Sequence, residues 1–408
     1  MWRTDRARLV GLVGIAIAVA LTILNLGFFF RAGTSDVLTG FAYNGFVFGW
    51  MLLLTSGSRT VSLGTLGIYF LLGVWAVAGA AYLLEQGLVS VSGVERTDGV
   101  VAVWYASVAE EGFKVLAVVL FFVLARRREH RWPSIGDGLL LGFVVGWGFK
   151  FHEDAHINIV TGHGWDALTP LSTFLPTIEL WNDQVYNDHA VRGALEGLSI
   201  GAAAMLWHWR RVAWIVGIAG AALMFWGHVM WNYFVDHPGQ AVGSEDAPFL
   251  FATLQDVLAS GRLPLLVLLG GAVAGVVAES MILRWVGKRD RMFSPLPIGQ
   301  VFALFKRWNT MVGLSQLAAA ERYAGLRRSV YYAGWRTQRA GGEPIVTYAD
   351  YVELGSLASR LGLRQAGAAA LNATPVQSAV AAEAVVVAQT PHEAAGPDAS
   401  ATDAPPAG

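Results

Sequence analysis

Long apolar runs, broken by short polar ones, fill the first 290 residues of the 408-residue chain. At about 20 residues per crossing, they predict membrane-spanning helices near 9–30, 37–56, 63–84, 100–125, 135–160, 187–208, 212–235 and 263–286. The first run follows "MWRTDRAR" and lacks a small-residue cleavage site, so it is expected to be a retained anchor. Beyond residue 287 the pattern changes to a basic segment dotted with aromatics, "FALFKRWNTMVGLSQLAAAERYAGLRRSVYYAGWR". Two outcomes are open for it: amphipathic helices on the cytoplasmic leaflet, or an ordinary solvated helical tail. From about 366 onward Ala, Pro, Val and acidic residues follow without periodicity, and disorder is expected.

The cationic residues give the spans a direction. Arg3, Arg6, Arg8, Arg59, Arg126, Arg127, Arg128, Arg131, Arg210, Arg211, Arg284, Lys288, Arg289 and Arg291 all fall on one side of such a bundle. The opposite connections hold Arg31, Arg96 and Arg262, with Arg192 just inside the outer end of the sixth span. By the positive-inside rule this predicts a multi-pass plasma-membrane protein with both termini cytoplasmic. The expected fold is an all-α polytopic bundle of about eight transmembrane helices over 1–290, with a cytoplasmic helical segment over 291–365 and a tail over 366–408. The two long outer connections, 161–186 and 236–262, are acidic. No repeat of 20 to 50 residues is visible.

Composition sharpens the setting and removes some chemistry. The chain is 54% hydrophobic and 14% charged, with a net charge of −1 and no cysteine, and its mean hydropathy is +0.47. Disulfides, thiolate metal sites and cysteine nucleophiles are excluded. The expected partners at this point are membrane lipids; no nucleic-acid partner is expected, and the oligomeric state is left open.

Against this background the polar residues inside the spans stand out, because a charge at the centre of a spanning helix costs roughly 2.5–3.5 kcal/mol or more. In "WYASVAEEGFKVLAVVLFF" Glu110 and Glu111 are adjacent, with Lys114 within helical reach of both. One ion pair leaves a carboxyl over, which suits general acid/base work. A buried salt bridge that only fixes packing is the alternative. Gly138, Gly142 and Gly146 form a small-residue stripe whose continuation passes Phe149, Glu153 and His156. His189, Gly193, Gly197 and Gly201 repeat the pattern in the sixth span, and Gly220, Met224, His228 and Asn232 share an i+4 line in the seventh. Four helices are thus expected to bring carboxylates and imidazoles inward at similar depths in the outer half of the membrane.

The stretch "KFHEDAH" also contains a literal HExxH. Two histidines one turn apart on a helix with a glutamate base are the zinc-binding signature of metalloproteases, which would make His152 and His156 ligands. Site-2-type membrane metalloproteases place an Asp-Gly ligand span after this motif, whereas Asp137 here precedes it. His152 and His156 are therefore read first as hydrogen-bonding groups near the helix's outer end, with the zinc pair as the alternative.

In order and spacing these residues resemble the PrsW family of intramembrane proteases, within the wider group that holds CAAX prenyl proteases and bacteriocin self-immunity proteins. The family pattern is EExxK, then Asp-Gly and FxxxE on one span, then His-Ala before a glycine-rich stretch, then HxxxN. Here these are "EEGFK" at Glu110 to Lys114, Asp137 and Gly138, "FKFHE" ending at Glu153, "HAVRGALEG" from His189, and "HVMWN" from His228 to Asn232. The resemblance covers about 37–235; Asp154 stands where family members often have Asn. It implies peptide-bond hydrolysis in or beside the membrane, on a regulatory substrate such as a membrane-anchored anti-sigma factor. Catalytic roles fall to Glu110, Glu111, Glu153, His189 and His228, with Lys114, Phe149 and Asn232 supporting. A water activated by Glu111 or Glu110 with an imidazole, and an oxyanion held by His228 and Asn232, would do this without metal. The alternative is a divalent metal, zinc, at Glu111, Glu153, His189 and His228, with His152 and His156 as secondary candidates. From other classes, a proton- or cation-coupled transporter and a non-catalytic membrane scaffold are the competing functions.

Overall fold

In lipid every backbone N–H and C=O has to be satisfied within the protein, and the apolar runs accordingly fold as helices. The computed structural model describes residues 34–96, 98–127, 132–161, 178–181, 184–237, 248–289, 311–339 and 348–361, with a few isolated positions beyond these. The first expected span, 9–30, and the expected disordered tail lie outside the described residues. The described helices are α1 (Thr34–Thr55), α2 (Leu63–Ser92, with a π-helical turn at Gly73–Val77), and α3, which opens with a π-helical turn, Val101–Ala106, and continues as Ser107–Arg127. After them come α4 (Ile135–Thr161), α5 (His189–Met205), α6 (Arg210–Asp236), α7 (Phe249–Val257), α8 (Arg262–Arg289), α9 (Met311–Arg339) and α10 (Tyr348–Arg360). A short antiparallel hairpin, β1 (Ile178–Trp181) with β2 (Gln184–Asn187), precedes α5 and is the departure from an all-helical chain.

Among the described residues, Leu63–Ser92, Arg210–Phe234 and the α7–α8 run Phe249–Val286 are long and apolar enough to cross a membrane. The α2 helix extends past the expected 84 to Ser92, where Gly93 takes the left-handed conformation (φ 69°) that closes a helix C-terminus. α5 is a different kind of helix. Thirteen of its seventeen residues are buried, polar ones included, because α3, α4, α6 and α8 surround it.

The centre of the bundle is the α4–α5 pair. A Cβ on Gly142 would run into the carbonyl of Gly193, one on Gly138 into that of Gly197, and one on Gly146 into that of His189; the reverse holds for Gly193 and Gly197. The stripes expected from the sequence therefore meet backbone to backbone. On another face of α4, a Cβ on Gly148 would lie 2.9 Å from the Val74 amide nitrogen, inside the π-helical turn of α2, and Gly73 meets the Val145 carbonyl. So α4 is gripped by α2 and α5 at once.

The arginine-rich end of α4 is anchored by polar groups. The Asp137 carboxylate accepts from the amides of Thr60 (2.7 Å), Val61 (2.8 Å) and Ser134 (2.7 Å) and from the Thr60 hydroxyl (2.5 Å). In return the Asp137 amide donates to Ser134 Oγ at 2.9 Å, forming a capping box. Glu279 of α8 takes two more orphan donors, the amides of Ile135 and Gly136. The Asp-Gly at 137 is thus a clamp between α4, the α1–α2 connection and α8.

Where it is described, the basic segment after 290 is helical and packs against the bundle. α9 docks on the same end of the bundle, with Tyr323 and Tyr332 fully buried. Its polar side chains donate to backbone carbonyls of the bundle: the Tyr332 hydroxyl to Ser58 O at 3.1 Å, Arg328 to Arg59 O at 2.7 Å, and Arg336 to Ala204 O in the last turn of α5. Arg59 reaches back to Glu321 at 3.0 Å. A cluster of Ala319, Leu326, Leu354 and Leu357 joins α9 to α10.

Candidate functional site

Four helices each deliver polar side chains to one buried point. α3 supplies Glu110, Glu111 and Lys114; α4 supplies Glu153, one turn beyond the buried Phe149; α5 begins at His189; and α6 supplies His228. The start of α5 is set by Asp188, whose carboxylate accepts from the Val191 amide at 2.9 Å. That cap fixes where His189 enters the site.

Glu111 is the most heavily tied of these groups. Its Oε2 lies 2.7 Å from Lys114 Nζ, its Oε1 lies 2.6 Å from His228 Nδ1, and Arg192 Nη1 approaches Oε1 to 3.6 Å. Both Lys114 and Glu111 are buried, so the pairing keeps each charge tolerable. Lys114 also donates to His189 Nδ1 at 3.1 Å and sits over the Phe149 ring. Because a protonated lysine can only donate, Nδ1 is the acceptor and the His189 proton is on Nε2. That Nε2–H points at Glu153 Oε2, 2.9 Å away. By the same logic His228 gives its Nδ1 proton to Glu111, leaving a lone pair on Nε2.

Glu110 differs from its neighbour. Its Oε2 is buried and accepts no hydrogen bond, yet lies 3.6 Å from His189 Nε2 and 3.7 Å from His228 Nε2. These distances exceed hydrogen-bond length, so the three atoms converge on a shared point. The two imidazole rings meet edge to face, 5.3 Å between centroids. Glu110, His189 and His228 place one donor atom each within 4.8 Å of one another and are, among the described residues, the one group so arranged for a metal ion. An orphaned buried carboxylate oxygen facing two imidazole nitrogens is a donor set suited to zinc. The Glu111–His228 hydrogen bond is the outer-shell contact that such ligands use.

All of these residues fall within one stretch recognised by comparison with known proteins: the family model described as PrsW family intramembrane metalloprotease matches residues 62–257. This segment belongs to the PrsW family. The PrsW domain runs from just before α2 to the end of α7, leaving α1 outside the match and bringing α7 within it. No curated protein and no solved structure matches the chain.

Two expectations for the site look different in the PrsW domain as folded. Asn232 is turned away from the carboxylates and donates to Ala102 O at 2.9 Å and towards Ser107 Oγ at 3.4 Å, tying α6 to the π-helical turn of α3. The HExxH histidines are apart from the cluster as well: His152 lies edge-on to Trp75 of α2, 5.8 Å between centroids, and His156 is exposed. Only the Glu153 of that motif reaches the site. Asp154, the departure from the family pattern, pairs with Lys150 at 2.9 Å. A His152→Ala, His156→Ala variant is therefore expected to keep its activity within about threefold; a loss of a hundredfold or more, measured on a cleavable substrate, would restore the zinc pair.

Two further residues, one of them read in the sequence only for its charge, belong beside the site. Arg192 and Glu196 are both buried, on the site-facing side of α5. The signal was present: His189, Arg192 and Glu196 are spaced i, i+3, i+7 and share a face, while Gly193 and Gly197 form the neighbouring one.

Proposed function

We propose that the PrsW domain hydrolyses a peptide bond of a membrane-anchored protein, with Glu110 as the general base. The observation that carries this is the convergence of Glu110 Oε2, which accepts no hydrogen bond, with His189 Nε2 and His228 Nε2 at 3.6 and 3.7 Å. A water at that point would pass its proton to Glu110 as it attacks the substrate carbonyl. The His189 Nε2–H is the donor nearest the developing oxyanion, and Glu153 sets its direction. Glu111, fixed by Lys114, orients His228 in the way a triad aspartate orients its histidine.

Glu110, His189 and His228 are also the residues that would hold a divalent metal such as zinc, which supplies Lewis-acid polarisation and a more acidic water. In that state His189 has to move its proton off Nε2 to offer a lone pair. The site has four carboxyl groups (Glu110, Glu111, Glu153 and Glu196) against two permanent cations (Lys114 and Arg192), a balance that favours a further positive charge.

The protein is placed, on this proposal, in the plasma membrane with both termini cytoplasmic and the site in the outer half of the bilayer. A membrane-anchored anti-sigma factor is the substrate class that the family resemblance raises. Full-length protein reconstituted with single-span candidate substrates should release fragments cut within or beside the substrate's span, identified by mass spectrometry. Zinc bound at about one equivalent and lost in His189→Ala, His228→Ala supports the metal form; full activity in metal-free protein supports the glutamate form. A transporter or a silent scaffold would release no fragment from any substrate.

A further inference from the structure

At the arginine-rich end, between α8 and α9, lies a cavity of about 280 Å³ lined by Leu283 and Arg284 of α8 and by Tyr323, Arg327, Arg328 and Tyr331 of α9, among others. It is some distance along the chain from every residue of the catalytic cluster. Three guanidinium groups border it, and the nearby acids are engaged elsewhere. Glu321 pairs with Arg59, Glu353 with Arg322, Asp137 is held by four donors, and Glu279 receives the amides of α4. Among the described residues no carboxylate pairs with Arg284 or Arg327. Arg327 stacks on the Tyr331 ring at 4.9 Å, and its buried Nε has no hydrogen-bond partner among the described residues. An arginine cluster with an unused buried donor and no acid of its own recognises a phosphate group.

What lies beside the cavity identifies the phosphate's carrier. Arg284 stands near the end of the apolar run Phe249–Val286, where a spanning helix leaves the membrane. Val273, Val277 and Met281 are 55%, 52% and 65% exposed, and with Arg284 they occupy one face at i, i+4, i+8 and i+11. An exposed apolar track thus leads along α8 directly to the arginines, and Trp285 sits at the same level as interfacial aromatics do. We propose that this cavity binds the phosphate headgroup of an anionic phospholipid from the adjacent leaflet, with an acyl chain lying along Val273, Val277 and Met281. The bound lipid bridges α8 and α9 and helps hold the docked segment on the bundle.

Native mass spectrometry of the full-length protein, titrated with phosphatidylglycerol or phosphatidylcholine, tests this. The expected result is one site that prefers phosphatidylglycerol by about tenfold or more. That preference should vanish in Arg284→Gln, Arg327→Gln, return in Arg284→Lys, Arg327→Lys, and persist in Arg322→Gln, whose arginine pairs with Glu353 outside the cavity. Since lipid is counted on protein that remains assembled, a variant that unfolds is recognised by its charge-state distribution, and the lysine variant then carries the comparison. Equal binding of the two lipids by the unaltered protein, or an undiminished preference in the glutamine variant, would overturn the site. Displacement of the lipid by millimolar inorganic phosphate, with phosphate retained in its place, would overturn the lipid assignment in favour of a free phosphate.

Discussion

Glu110→Gln is expected to lower cleavage by on the order of a thousandfold while leaving the protein as stable as before. Glu110 Oε2 accepts no hydrogen bond in the resting site, so an amide there removes a base without breaking a contact. Glu111→Gln should lose activity as well, for another reason and with a different signature. Glu111 neutralises Lys114 at 2.7 Å and holds the Nδ1 proton of His228 at 2.6 Å, and its loss leaves a buried lysine without its anion. Removing one partner of a buried pair typically costs about 3–5 kcal/mol. The melting temperature of Glu111→Gln should therefore fall where that of Glu110→Gln does not. Cleavage assays and thermal melts in detergent separate the two roles, and retained activity in both variants would end the assignment of either carboxylate to catalysis.

Gly142→Val is expected to prevent the bundle from assembling. The first added atom would already overlap the Gly193 carbonyl, on a backbone that has no side chain to move aside. Overpacking a core commonly costs about 1–3 kcal/mol when neighbours can rearrange; here two helix backbones would have to separate, so the cost belongs above that range. Gly49→Val is the control, since nothing lies within 4 Å of a Cβ at Gly49. Yield of monodisperse protein after extraction reads the effect, and a Gly142→Val protein as well behaved as Gly49→Val would show that the α4–α5 contact is looser than described.

Much of the site was legible because membranes make charged side chains conspicuous. Glu110, Glu111, Lys114, Glu153, His189 and His228 were singled out by cost and helical spacing alone, and they do converge. What spacing could not supply was the direction of a side chain at the end of its stripe. Asn232 follows His228 by one turn, yet the π-helical turn of α3 offers it a carbonyl at Ala102, and it turns there instead. Likewise HExxH describes a helix face, but His152 finds Trp75 across from it and only Glu153 finds His189. Arg192 reads in the sequence only as a charge near the outer end of its span, and Glu196 is not marked as a site residue, because both are interleaved with glycines whose own periodicity is stronger. The docking of α9 was hidden for a different reason: its determinants are backbone carbonyls of distant residues, Ser58, Arg59 and Ala204, which no local pattern reveals.

The glycine contact between α4 and α5 also limits how a substrate can arrive. An extended peptide needs about 4.7–4.9 Å of clear space beside any backbone that it lies against, and along Gly138, Gly142 and Gly146 the two helices leave none. That seam is a closed wall behind the carboxylates. On the proposed function, a membrane-anchored chain entering sideways from the bilayer has to come between other helices, and its route would decide which spans can be cut.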